Sequence, residues 1–190
     1  MSLLETQNFL ARLYTDENLR REFVVAPEKI GSENNLKPGE IAELAKILPE
    51  ELNSFSESLF YKRLREVEKL LPLMRKILKK DFERHFREFA NIFLPESNKK
   101  HFEDAINFAD SLANQENEFV WLKDIARFEK TRSEFNVLQK RFSMILLDYD
   151  VRLILENTSN EKSDLFTNLK KRKTAVIWLR FGNKVNHFVI

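Results

Sequence analysis

TAVIWLRFGNKVNHFVI, from Thr174 to Ile190, alternates where most of the chain does not. Ala175, Ile177, Leu179 and Phe181 fall on one side of an extended strand. Thr174, Val176, Trp178 and Arg180 fall on the other. Gly182-Asn183 then occupies the place of a two-residue hairpin turn. Counting outward from that turn sets the register. Phe181 faces Lys184, Leu179 faces Asn186, Ile177 faces Phe188 and Ala175 faces Ile190, and this face is expected to pack on helices. On the opposite face Trp178 lies across from His187 and Val176 across from Val189, and that face is expected to stay accessible. A lone two-stranded hairpin is marginal in water. It therefore needs helices beside it or a third strand, for which Val151-Arg-Leu-Ile-Leu155 is the candidate.

Upstream of this stretch the apolar residues recur three or four apart, the helical period. Leu3 to Tyr14 reads as a first helix, and Thr15 or Asp16 can cap a second that ends near Pro27. Gly31 to Leu36 reads as a polar loop. Pro38 and Pro49 each open a further helix, as suits proline in a first turn. A long inward set follows: Leu59, Leu64, Val67, Leu71, Met74, Leu78, Phe82, Phe86, Phe89, Phe93. Pro72 breaks or kinks it, and Pro95 ends it. Ser97 can cap a helix through Phe102, Ala109 and Leu112. After a polar break at Asn114–Asn117, Phe119 begins a last long helix running to Phe142. Thr158–Asp164 reads as a polar loop, Leu165–Leu169 is ambiguous, and Lys170–Lys173 leads into the hairpin. The expected architecture is mainly α: a helical bundle, residues 1–145 with a sub-boundary near 94–97, then a small antiparallel β element over 146–190.

Composition narrows the function classes. The chain has 190 residues, 43% of them apolar, enough for one core or two small ones. Seventeen Phe against three Gly favour long helices packed through rings. With 33% charged residues and a mean hydropathy of −0.45, no stretch approaches the ~20 apolar residues of a membrane span. The opening MSLLETQNFLARLY lacks a basic segment followed by an apolar core, so a secretory leader is not expected. Cysteine is absent, which excludes disulfides, thiolate catalysis and cysteine-ligated zinc or iron–sulfur centres. A reducing cytoplasm is the default compartment.

The net charge of +2 conceals blocks. Residues 1–60 carry 6 basic and 11 acidic side chains, residues 62–87 carry 10 and 4, residues 88–160 carry 9 and 13, and residues 161–190 carry 7 and 2. The two basic blocks are places for an anionic partner to dock. In the first, Lys76, Lys79, Lys80, Arg84 and Arg87 could track a phosphate backbone. In the second, Lys170, Lys171, Arg172 and Lys173 form a compact cluster. Interleaved acids such as Asp81 and Glu83 give the first block the i,i+3 and i,i+4 pairs of an ordinary exposed helix.

Chemistry-bearing motifs are scarce. Asp81, His85 and Glu88 share one side of a helix, a spacing compatible with a metal but equally with a surface cluster. His101 with Asp104 is no stronger. There is no GxSxG, P-loop, GxGxxG or HExxH. The expectation is a protein without catalysis, cofactor or metal of its own. The hairpin suggests recognition instead: an edge strand can accept an extended segment of another chain. The contact residues would be Trp178, Arg180, Lys184, Asn186, His187 and Phe188.

Several phrases add a resemblance. FLARLYTDENLRREFVVAPEKI (9–30), followed by LKPGEIAELAKI, resembles the N-terminal helical module of several bacterial proteins. WLKDIARFEK (121–130) and the closing VIWLRFGNKVNHFVI resemble elements of a two-domain family often labelled DNA-binding. Its members include partner subunits of multinuclear iron oxidases that modify ribosomal peptides, methanobactin biosynthesis among them. The resemblance implies either DNA binding or recognition of a precursor peptide or an enzyme partner. The residues themselves lean to a non-catalytic protein that binds a peptide or partner enzyme, with a nucleic-acid-binding regulator as the alternative.

Overall fold

The computed structural model describes residues 3–114, 120–159 and 169–190. Ten helices and three strands lie among them, with the strands at the C-terminal end. The mainly helical class with a small antiparallel sheet is what the periodicities imply. Four of the five prolines, Pro27, Pro38, Pro49 and Pro72, each stand at the first position of a helix. Proline needs no N–H partner there, and its fixed φ already suits the turn.

The chain divides into two compact units, residues 1–64 with 87–94, and residues 65–86 with 95–190. These bounds differ from 1–145 and 146–190: the sheet belongs to the same unit as the helices just before it.

The first unit holds α1 (Leu3–Thr15), α2 (Glu17–Val25), α3 (Pro27–Glu33), α4 (Pro38–Leu44) and the first part of α5 (Pro49–Leu70). Asp16 caps α2 by accepting the Leu19 N–H at 2.9 Å. Phe9 and Phe23 meet edge to face at 5.3 Å, inside a core that includes Leu13, Ile30 and Ile41. The segment expected to be a loop from Gly31 is helical as far as Glu33, and Gly31 is buried. A β-carbon there would sit 2.5 Å from the Ile41 side chain, so glycine is what lets α3 and α4 approach.

The second unit holds the rest of α5, α6 (Pro72–Leu78), most of α7 (Asp81–Ala90), α8 (Lys100–Asn114), α9 (Leu122–Val137), β1 (Phe142–Leu147), α10 (Val151–Ser159), β2 (Thr174–Phe181) and β3 (Lys184–Val189). Phe82 and Phe86 each pack edge-on against Phe108 at 5.3 and 5.2 Å. The long apolar stripe breaks twice, at Pro72 as expected and again at Lys79, whose φ of +51° ends α6.

Two expectations reverse. Val151–Leu155 opens α10 and is not a strand, because Asp150 precedes it and accepts the Arg152 N–H at 3.0 Å. Phe142 does not close a helix but begins β1. α9 ends at Val137, and Gln139 then adopts a φ of +52°. A short run such as FSMILL, with Ser143 as its one polar residue, cannot separate period 2 from period 3.6. Residues 115–119 and 160–168, which include the expected Phe119 helix start and most of the Thr158–Leu169 stretch, lie outside the described residues.

Candidate functional site

The sheet has the order β1-β2-β3, antiparallel throughout. The hairpin register follows the count from Gly182: Phe181↔Lys184, Leu179↔Asn186, Ile177↔Phe188 and Trp178↔His187. Ala175 and Ile190 exchange both backbone hydrogen bonds, at 2.8 and 2.9 Å. β1 adds to the other side, with Met144 opposite Ile177 and Leu146 opposite Ala175.

The register is right but the faces are inverted. Thr174, Val176 and Trp178 are buried, and Trp178, only 2% exposed, packs against Phe128 of α9 at 5.4 Å between ring centres. Trp178 is therefore a core residue, and its expected place on an accessible face is corrected. Arg180 shares that inner side. It lies over the Phe135 ring and donates to the carbonyls of Lys140 and Phe135 at 3.2 and 3.3 Å.

The other face, expected to dock on helices, is open. Phe142, Met144, Leu146, Phe181, Phe188 and Ile190 are each more than half exposed, and Ala175, Ile177 and Leu179 are half-buried between them. Three adjacent strands thus present one largely apolar surface, interrupted on β3 by Asn186 and Lys184, of the kind that marks interaction sites. Both faces of β2 carry large apolar residues, with Thr174 and Arg180 at the ends of the inner one, so alternation alone could not say which one the helices take.

β3 is exposed on both sides from Lys184 to Phe188, and Val189 is half-buried. Because Ala175–Ile190 is a hydrogen-bonded pair, Phe188, Asn186 and Lys184 also direct their backbone groups to β2. Val185 and His187 direct theirs outward, where no strand lies among the described residues. Of the six expected contact residues, Lys184, Asn186, His187 and Phe188 are exposed on this strand. Trp178 and Arg180 are not brought to it.

The cations of the alternative reading are dispersed. Arg84 pairs with Asp81 at 3.2 Å. Arg87, which falls in the other unit, grips Glu57 through two hydrogen bonds of 2.7 and 3.0 Å and lies 3.8 Å over the Phe60 ring. The Arg87 hydrogen bond holds the Glu57 carboxyl below its usual pKa. Lys76, Lys79 and Lys80 are exposed on and just after α6. Lys170–Lys173 are exposed ahead of β2, with the Arg172 guanidinium 3.7 Å from Asp150. Asp81, His85 and Glu88 form no metal cradle, and no group of three such ligands occurs among the described residues. No helix among them is long and apolar enough to cross a membrane.

Sequence reading missed what positions the sheet. α9 carries two buried carboxylates that bind backbone. Glu129 accepts the Leu73 and Met74 N–H groups at 2.9 and 2.8 Å, closing the N-terminus of α6, and pairs with Arg132 at 2.8 Å. Burial nevertheless pushes its pKa up to about 7. Asp124 accepts the Asp148 and Tyr149 N–H groups at 2.7 and 2.9 Å, just after β1, and burial raises its pKa as well. Asp150 is held low instead, first by its hydrogen bonds from Arg152. In sequence Asp124 and Glu129 sit beside Ile125, Phe128 and Phe135 of α9, and only that placement hints at them. No protein-family model matches this chain, and no curated protein is significantly similar to it.

Proposed function

We propose that this is a non-catalytic recognition protein whose C-terminal sheet receives a segment of a partner protein, such as a peptide or a partner enzyme. The observation that carries the reading is the open apolar face of β1, β2 and β3, beside a β3 edge that pairs with no further strand among the described residues. Folding leaves such a surface uncovered only at a cost in hydration, so its retention points to an occupant. A cytoplasmic setting and a role in ribosomal-peptide modification fit this reading, and both rest on composition and on the family resemblance. Phosphate-backbone binding has weaker support, because Arg84 and Arg87 are already engaged with carboxylates.

The test is retention of partners in the source cells by the full chain and by a Met144→Glu/Phe188→Glu variant. The two side chains share one row across Ile177 and are about half exposed, so the variant should keep the fold. The wild type should co-purify with a defined neighbour-encoded protein, and the variant should lose it. A partner held equally by the folded variant would overturn the reading.

A further inference from the structure

Charge around the open face separates its possible occupants. Residues 138–147 contain Lys140 and Arg141 and no acid, and residues 169–190 contain six cations and no acid. At the turn end of the sheet, Lys184 stands opposite Phe181, on the side of the apolar face, and Arg141 is exposed just before β1. At the far end Lys170, Lys171 and Lys173 are exposed ahead of Thr174. Among the described residues the acids nearby offset this only in part: Glu134 pairs with Lys140 at 2.8 Å, which leaves Arg141 and Lys184 at the turn end. Asp150 is buried and bound to Arg152 and Arg172, and Asp148 is one exposed carboxylate just past β1. The surface is therefore apolar in the middle and basic at both ends.

That pattern disfavours a second copy of the chain. A two-fold contact apposes the same patch with itself. With both ends basic, either direction brings cations to cations across a poorly hydrated gap. An extended segment would use the edge of β3, pairing with Val185 and His187, and would leave the face uncovered. The dimensions suit a helix. Outer strands of a three-stranded sheet lie about 10 Å apart, and a helix is about 10 Å across. A six-residue strand such as β1 spans about 20 Å, the length of roughly 13 helical residues.

We propose that the outer sheet face binds an amphipathic helix of a partner protein, with an apolar stripe at i, i+3, i+4 and i+7 and Asp or Glu at both ends of the stripe. Met144, Ile177 and Phe188, one row across the three strands, form the floor beneath the stripe. Lys184 at one end and Lys171 and Lys173 at the other meet the acids. This rests on the recognition reading above and specifies its partner.

The experiment titrates the full chain with a lactam-stapled helix of about four turns, carrying a leucine stripe and glutamate ends. Anisotropy and the methyl signals of Met144, Ile177 and Leu179 report binding. Three comparison probes are the same helix with lysine ends, an extended peptide of alternating leucine and glutamate, and phosphatidylglycerol vesicles. The expected result is saturable binding of the glutamate helix, with shifts confined to the outer face. Affinity should fall at least about tenfold in Met144→Glu/Phe188→Glu and severalfold on raising salt from low to about 0.5 M. Equal binding of the lysine helix, or preference for vesicles, would overturn the proposal. So would a concentration-dependent dimer abolished by the double variant, which would assign the face to a second copy. Preference for the extended peptide would overturn the helix while leaving the recognition function standing. Failure of every probe, with partner retention in cells also insensitive to the double variant, would remove both.

Discussion

The two faces of β2 differ less in composition than in what lies against them. One face holds Val176 and Trp178 and is sealed by α9. The other holds Ile177 and Leu179, flanked by Met144 and Phe188, and meets no covering element among the described residues. A strand that is polar on one side announces its core face. This one carries large apolar residues on both, so its alternation defines register and not side. The difference teaches that a doubly apolar strand on a thin sheet marks either a buried layer or a vacant seat. Only the tertiary arrangement separates the two.

The comparison breaks most visibly under paired truncation. Trp178→Ala removes a ring buried against Phe128 and should cost about 3–5 kcal/mol in chemical denaturation. Leu146→Ala on the outer face should stay within about 0.5 kcal/mol. Similar losses at the two positions would mean that the outer face is covered in solution.

A second test sharpens the inner half, since α9 seals that face and is itself tied down by Glu129. An ordinary glutamate ionises near 4.5, whereas Glu129 does so at about 7 in the fold. Between those values the folded state holds the extra proton, so stability should fall as pH rises from 4.5 to 7 and level off above. Asp124, also raised by burial, acts in the same sense, while the lowered Glu57 and Asp150 act at more acidic pH. The loss should be on the order of a few kcal/mol. Glu129→Gln, which cannot ionise, should flatten the decline across that window; an unchanged slope would rule out Glu129 as its source.

The smallest effect belongs to the turn that aligns both faces. Gly182 has a φ of +58° and open space around it. Gly182→Ala should therefore cost about 1 kcal/mol through backbone conformation alone. A neutral substitution would mean that the turn relaxes to another geometry.

Much of the fold was readable from the chain. Helix starts were written in proline and in Asp16, and the hairpin register in Gly182. Three features resisted. FSMILL is too short and too nearly apolar throughout to declare its period. Val151–Leu155 looked extended because its β-branched residues outweighed the capping role of Asp150. The choice of sheet face was invisible because Trp178 and Ile177 are both good core residues. The candidate site was half readable for the same reason: the β3 residues Lys184, Asn186, His187 and Phe188 are exposed, whereas Trp178 and Arg180 went to the side that the helix claimed.

Glu129 also has a consequence in time. It joins α9 to amides 55 and 56 residues earlier in the chain, and Asp124 reaches 24 and 25 residues ahead. Local helix formation makes none of these bonds; each waits for a long loop to close. α9 is thus a clasp between distant parts of the chain. Until it closes, the start of α6 has unpaired N–H groups and the turn after β1 has no anchor. The two buried carboxylates thus place closing contacts of this unit at long sequence separation.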